Sequence, residues 1–424
     1  MTMASPPVAE KVFLSAYVLL LPLAFRYALG ALRPEARDLW PLILPFVYNH
    51  FLHLGFYNLA FAGVPFFLVL GYWLRRRGRL GAGEAAVLAL LLLWLYFCHL
   101  VTLLLALGGL GLLASWQSVR DVREGEADRW KIAGVRLLAL ATAALPVFLL
   151  VLRFLAGQRT ERSEEGPTLP ERWGDLWRVR ELASHDEKEL WLTGALGVLL
   201  LLAAAALLLS RLHARGLRDG DGLLLVTAAF AAVYFSAPVT VLNTPGSTPG
   251  GGTTHDRVSL YVFLALLLWI AAQDLGASAR RGLVAASVAI AVGLVALRLP
   301  RYAEMNAHLA EYLSPADHLV PHATLLPVSF AHQGHRLDGS PVSWRVEAFL
   351  HGGAYLAAER GLVDFTNYEA DLGYFPTLFR RDANPYRWLR GGQELQTPCV
   401  DFSRYDRRGP RPLDFVLVWA AVRA

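Results

Sequence analysis

Apolar positions along this chain fall in long blocks separated by short charged segments, and alternation is confined to the last third. The blocks run over Val12–Leu32, Phe56–Leu74, Ala85–Ser115, Val135–Ala156, Trp191–Ser210, Leu223–Leu242, Val258–Gln273 and Leu283–Leu299. A helix needs roughly 20 residues to cross a bilayer, so these blocks predict transmembrane helices. Ala85–Ser115 holds 31 residues between two basic segments. Two short helices turning near Tyr96-Phe97-Cys98-His99 satisfy both flanks, and one oversized helix does not. Trp40–Phe56 is either a short span or a re-entrant segment, which gives nine or ten crossings.

Past Leu299 the pattern changes. "HLVPHATLLPVSF" and "PLDFVLVWAAV" read as strands, and "VEAFLHGGAYLAAERG" reads as a helix stopped by Gly361. The expected fold class is mainly α: a polytopic helical membrane domain over residues 1–299, then a small extracytoplasmic α/β or α+β domain over 300–424. No internal repeat and no inverted hydropathy symmetry is visible.

Composition agrees with this reading. Of 424 residues 55% are hydrophobic and 18% charged, against about 25% charged in an ordinary globular chain. The net charge of +5 matters less than its distribution, because cytoplasmic loops collect Lys and Arg. Arg75-Arg76-Arg77, the Arg120–Arg136 segment, Arg211 to Arg218 and Arg280-Arg281 are therefore assigned to the cytoplasm. Residues 158–189, with six basic and nine acidic side chains, fall outside, as do the loop before Val258 and the tail. The expected location is the plasma (inner) membrane, multi-pass, with membrane lipids as partners and no nucleic acid. Cys98 and Cys399 imply no disulfide framework, and the first apolar run reads as a retained helix.

This sidedness gathers Asn49, His50, His53, Asn58, His99, His255, Asp256 and Arg257 at one face. His50 and His53 are i,i+3 and share a helix face. Imidazoles so spaced suit metal ligation, with Asp256 as an oxygen ligand; the alternative is a pair that caps backbone or meets headgroups. No HExxH-type cluster is present, so no metal or cofactor is assigned and a divalent cation stays open. Asn49 and Asn58 either satisfy helix ends or contact substrate, and His99 is either a turn residue or a substrate contact. The planar fork of Arg257 suits a phosphate held bidentately; otherwise it snorkels to headgroups. Asp256 is either a general base or a cap of the helix that follows. Glu35 and Asp38, in "RPEARDLW", join it as acidic candidates for catalysis, external only in the nine-span version. His185-Asp186 is either a further acid/base candidate or a solvated part of the charged loop. "DFTNYEADLGYFP" brings Asp364, Asn367, Tyr368, Glu369, Asp371 and Tyr374 together as a sugar site or a packed loop. The Gly-rich loop Thr244–Thr254 lacks the Walker spacing, and no Ser-His-Asp elbow, dinucleotide fingerprint or kinase motif occurs.

"VYNHFLHLGFYNLAFAGVPFFLVLGYWLRRR", "LYFCHLVTLLLALGGLGLL", "NYEADLGYFPTLFRRDANPY" and "PLDFVLVW" together resemble bacterial multispanning proteins similar to GT-C type glycosyltransferases. That resemblance implies sugar transfer from a polyprenyl-phosphate donor at the extracytoplasmic face, to a glycan or protein acceptor. Arg257 is the one donor-phosphate position it transfers. In such enzymes the catalytic acid lies in the first external loop. Here "SPPVAEKVFLSAYVLLLPLAFRYAL" looks like a region downstream of that loop, so the expectation is a degenerate or shortened relative. The alternative is a non-enzymatic subunit or transporter for lipid-linked glycans; Arg26 and Arg153, near span ends, disfavour ion-coupled transport.

Overall fold

The computed structural model describes residues 5–78, 80–123, 129–156, 166–213, 218, 220–237, 254–371, 377–387, 389, 400, 402 and 412–420. α1 (Pro6–Leu32) is followed by a 3₁₀ stretch, Pro34–Ile43, and two single-turn helices, α2 (Leu44–Val47) and α3 (His50–His53). Pro34, Pro41 and Pro45 account for the break, since each removes an N–H donor and none tolerates a helix interior well. Then come α4 (Tyr57–Arg76), α5 (Ala82–Cys98), α6 (Leu100–Arg123), α7 (Arg129–Ala156), α8 (Leu169–Trp177), α9 (Glu189–His213), α10 (Asp221–Ser236), α11 (Thr254–Ala272) and α12 (Ala277–Leu313). Seven of them (α1, α4, α6, α7, α9, α11 and α12) are long and apolar enough to cross a membrane, and α5 and α10 are shorter apolar helices.

The Ala85–Ser115 block is two helices, α5 and α6, breaking at His99. Arg136 of α7 ties the far end of α6 to the end of α4, donating to Asp121 at 2.9 Å and to the Arg77 carbonyl at 3.4 Å. Two ends of the bundle emerge from such contacts. At one, Arg33 and Arg218 both meet Asp274, Arg211 meets Asp221 at 2.5 Å, and Arg280 donates to the Glu35 carbonyl at 3.0 Å. At the other lie His53, Arg172, Glu189 and Tyr302. The Trp40–Phe56 stretch therefore runs from the basic end to the opposite end as an irregular passage. It is neither a regular short span nor a segment that returns to the end it left.

α11 is the central helix. Val258 through Ala271 are all buried, which fits a helix that is apolar on every side. Tyr261 packs edge-on against Phe66 with ring centroids 5.0 Å apart, and its hydroxyl accepts from Thr102 at 2.7 Å. α11 thus carries His255, Asp256 and Arg257 on its first turns into the heart of the histidine-bearing end.

α12 does not stop at Pro300 but runs on to Leu313, 37 residues from Ala277, so the division expected between residues 299 and 300 falls inside one helix. The apolar pattern ends at Leu299, whereas the backbone bonding does not. Beyond it stand β1 (Thr324–Ser329), α13 (Gly353–Arg360), β2 (Val363–Asp364) and β3 (Phe415–Trp419). The strands form a parallel sheet in the order β2-β1-β3, with α13 in the crossover from β1 to β2, as parallel pairing requires. α13 is shorter than the sequence pattern suggests, because successive glycines at 352 and 353 favour turns over helix. Gly353 also lets α13 start against β1; a Cβ there would lie 2.2 Å from Pro327 Cγ. Gly361 ends it at φ +67°, the left-handed position that glycine adopts without strain.

Candidate functional site

The histidine-bearing end is organised around a buried ion pair. Glu189, the first residue of α9, accepts from the backbone N–H groups of Ser184, His185 and Asp186 at 2.9–3.0 Å. Arg298 of α12 donates to the same carboxylate from Nε at 3.0 Å and Nη2 at 2.7 Å. It also donates to the carbonyls of Tyr48 (2.8 Å) and Leu182. Both charges are fully buried. A buried pair is tolerable only when its remaining donors and acceptors are satisfied, and here Tyr48 and the 182–186 loop supply the partners. The pair fixes residues 182–189 against α12 and the end of α2.

Against this frame His53 bridges two elements. Its Nδ1 lies 2.9 Å from Ser184 Oγ and its Nε2 2.8 Å from Tyr302 Oη. Its ring meets His185 edge-on at 4.6 Å. His185 Nδ1 lies 3.0 Å from Ser343 Oγ, and Arg301 donates to Asp186 at 2.7 Å. Burial pushes the His185 imidazole down to about 4; Glu189 opposes this and Arg298 and Arg301 reinforce it. It is neutral in the fold.

The segment after β1 docks onto the same loop: Trp344 and Arg345 donate their N–H groups to the carbonyls of His185 and Ser184 at 3.1 and 3.0 Å. The Arg345 guanidinium donates to the carbonyls of Arg180 and Ala183 at 2.8 and 2.9 Å and stands 4.0 Å from Glu181. Glu181 is buried, and its carboxyl is pushed up to about 8 by burial and by Asp256, opposed by Arg345 and Arg180. A carboxyl so raised keeps its proton at neutrality and releases it only slightly above.

The backbone here is strained. Val179 has φ +48° and ψ +48°, a left-handed conformation that is costly for a β-branched residue. That turn puts Arg178 and Arg180 on the wall of one cleft while Glu181 points back into the bundle. The cleft holds about 580 Å³ and is lined by Glu171, Asp175, Arg178, Arg180, Glu187 and Trp344 among others. Arg180 donates to Asp175 at 2.8 Å. Behind this wall three buried polar atoms have no hydrogen-bond partner: His50 Nδ1, Glu181 Oε2 and His185 Nε2. The Asp256 carboxylate is within electrostatic reach of both His50 and Glu181. Unsatisfied buried groups are rare, and clustered ones mark a place that a polar ligand or water would complete.

Of the residues expected at this face, the structure brings together His50, His53, His255 and Asp256. His255 Nε2 lies 3.1 Å from Asp256 Oδ1. Asp256 sits in the first turn of α11, inside the helix rather than ahead of it. Arg257 is turned to the other flank, with its guanidinium 5.5 Å from the Phe56 ring centre and within reach of His99. Asn49 is the N-cap of α3: Oδ1 accepts from the Leu52 N–H at 3.1 Å, and Nδ2 donates to the Phe46 carbonyl at 3.1 Å and to Tyr17 Oη at 3.3 Å. Those bonds use both N–H donors of its amide and one acceptor site of its oxygen. His99 accepts from the Thr102 N–H at 3.3 Å and caps the start of α6, while Asn58 is exposed at the start of α4. Glu35 and Asp38 lie at the opposite end, where Arg280 stands 3.6 Å from Asp38. They are far along the chain's path from the histidines because the 3₁₀ stretch starts at the basic end.

Metal ligation by His50 and His53 does not fit this arrangement. Both ring nitrogens of His53 are engaged, and among the described residues no group of three or more His, Cys, Asp or Glu is placed to hold a metal ion. The acidic, aromatic stretch of the tail folds on itself. Asp364 accepts from the Thr366 N–H and hydroxyl at 2.8 and 2.7 Å, Asn384 donates to Asp371, and Tyr368 packs on His351 at 5.5 Å. Tyr374, Cys399 and the Gly-rich loop up to Thr253 lie outside the described residues.

Glu181, Arg298, Tyr302, Ser343 and Arg345 were not singled out by the sequence. One signal was present: Arg298 stands inside the apolar run Leu283–Leu299, and a charge in such a run usually has a buried partner. No family model, curated protein or solved structure matches this chain.

Proposed function

We propose that this is a multi-pass protein of the plasma membrane whose histidine-bearing end faces outward and binds a phosphate-linked lipid sugar, transferring the sugar to a glycan or protein acceptor. The observation that carries the reading is the set of three unpartnered buried polar atoms, on His50, Glu181 and His185, behind a charged and aromatic cleft. A sugar offers hydroxyls in both donor and acceptor roles, and Trp344 offers a ring face. Arg178 and Arg180 at the cleft, and Arg257 on the flank, supply the positive charge that a phosphate or diphosphate requires. Glu181, once its proton is released above neutrality, takes the role of general base toward an acceptor hydroxyl. This assigns the acid/base role to the loop before α9 in place of Glu35 and Asp38.

The resemblance to GT-C type glycosyltransferases supports the same donor class. A second reading, a binding subunit without catalysis, is favoured by one observation: Glu181 stands behind Arg180 and Arg345, not in the cleft wall. One experiment separates the two. Purified protein in nanodiscs is titrated with a polyprenyl-phosphate sugar and assayed for release of polyprenyl phosphate in the presence of acceptor. Binding that weakens in R180A and R257A, with turnover that disappears in E181Q, supports the enzyme. Binding without turnover in the wild type supports the subunit, and no binding in any form removes both.

A further inference from the structure

α8 is a two-sided helix of nine residues. At 100° per residue Leu169, Trp173 and Leu176 share one edge, while Glu171, Gly174, Asp175 and Arg178 share the opposite one. The polar edge lines the cleft. Leu169 and Trp173 are exposed, at 65% and 55%, although Trp173 also stacks on Phe235 with centroids 6.0 Å apart. Beneath the helix the buried Arg172 donates to the carbonyls of Tyr234, Phe235 and Ala237 at 2.8–3.2 Å. The Tyr234 hydroxyl returns a bond to the Arg172 carbonyl at 2.8 Å. α8 is thus pinned, at a fixed height, to the last turn of an apolar helix.

α9 also carries an exposed apolar face: Trp191 is 82% exposed, and Val198, Leu201, Leu202 and Leu209 follow it along the helix. Hydrocarbon is the occupant that a face of this length and composition calls for on α9. α8, with Glu171, Asp175 and Arg178 on its other edge, cannot follow α9 into hydrocarbon without burying charge. Tryptophans at a helix end and an apolar edge opposite a charged one are the features of a helix lying in the headgroup layer.

We propose that α8 is an interfacial helix, with Leu169 and Trp173 immersed at the acyl boundary beside Trp191 and the cleft on its other side open at headgroup level. The inference rests on the membrane reading above and adds the height and approach of the ligand. A lipid-borne headgroup would reach Arg178 and Arg180 sideways from the leaflet rather than from bulk water.

The test is site-directed spin labelling of the full chain in a C98S/C399S background, reconstituted in phosphatidylethanolamine–phosphatidylglycerol vesicles. Nitroxides go singly at positions 169, 173, 175, 178 and 202, and collision rates with oxygen and with a water-soluble nickel chelate are compared. The expected result is oxygen-dominated collision at 202, a shallower but still oxygen-favoured ratio at 169 and 173, and nickel-dominated collision at 175 and 178. Nickel-dominated collision at 169 and 173, with 202 still in lipid, overturns the proposal and leaves the membrane reading intact. Immobile labels at 169 and 173, shielded from both reagents, also overturn it, because a second protein surface then covers the edge. Nickel-dominated collision at 202 removes the membrane reading, and the proposal falls with it. If the label at 173 prevents assembly, the label at 169 decides alone.

Discussion

Arg298 and Glu189, 109 residues apart in the chain, form a fully buried ion pair at 2.7 Å that holds α12, the start of α9 and the Tyr48 carbonyl to one point. The loop this pair organises also anchors His53 and the segment after β1. Ser184 and His185, whose N–H groups bond to Glu189, are the same residues that hold His53, Ser343, Trp344 and Arg345.

Removing one member of that pair leaves the other charge buried without compensation. Arg298→Met and Glu189→Gln are each expected to cost about 3–5 kcal/mol. The double variant should lose less than the two single losses combined, because no orphan charge remains. Unfolding in mild detergent, followed by size-exclusion with intrinsic fluorescence, measures this. Additive losses would mean the two groups act separately.

The pH response of stability separates two groups. The Glu181 carboxyl is raised from an ordinary value near 4.5 to about 8, so between those values the folded state holds a proton that the unfolded state has released. Stability therefore falls as pH rises through that window. The His185 imidazole is lowered from 6.5 to about 4, so stability is lost as pH falls from 6.5 toward 4. Above about pH 7.5 the unfolded imidazole is largely deprotonated, and the Glu181 effect remains up to about 8. The melting temperature of the wild type should decline across that interval, and that of E181Q should be flatter. An equal slope in both would deny Glu181 its raised pKa.

Two glycines of α9 make a matched pair. A Cβ on Gly197 would lie 1.8 Å from the Trp177 carbonyl oxygen, which is backbone. A Cβ on Gly194 would meet only the Trp177 ring, at 3.7 Å. Gly197→Ala should cost about 1–3 kcal/mol by forcing α8 away from α9. Gly194→Ala should be neutral or gain up to about 1 kcal/mol from helix propensity. Thermal melts of both variants check this, and cleft ligand binding should suffer in the first only.

The helices were legible because block length and charged flanks depend on composition alone. The turn at His99 followed from basic residues on both sides of one apolar run, with no knowledge of packing. The Trp40–Phe56 passage was not legible as a path, since Pro41 and Pro45 break the helical period while the residues stay apolar. Gathering His50, His53, His255 and Asp256 at one end needed only sidedness. Their partners were another matter: Tyr302 lies 249 residues from His53 and Ser343 lies 158 from His185, and no local pattern couples positions so distant. Asn49 illustrates the converse. Its polarity marked it as a substrate contact or a helix-end residue, and the bonds to Leu52, Phe46 and Tyr17 make it the latter. Glu181 was hidden in a loop whose net charge reads as solvation, and only burial distinguishes it from Glu187.

The central claim is that the sheet and the histidine cluster occupy the outer face while the arginine-rich end is cytoplasmic. Single cysteines at Leu337 and Glu187, and at Arg76 and Arg281, all exposed positions, test it in intact cells with a membrane-impermeant maleimide. The account requires labelling at 337 and 187, and labelling at 76 and 281 only after the membrane is opened. Labelling of 76 or 281 in intact cells, with 337 and 187 protected, would turn the cleft away from any extracytoplasmic substrate.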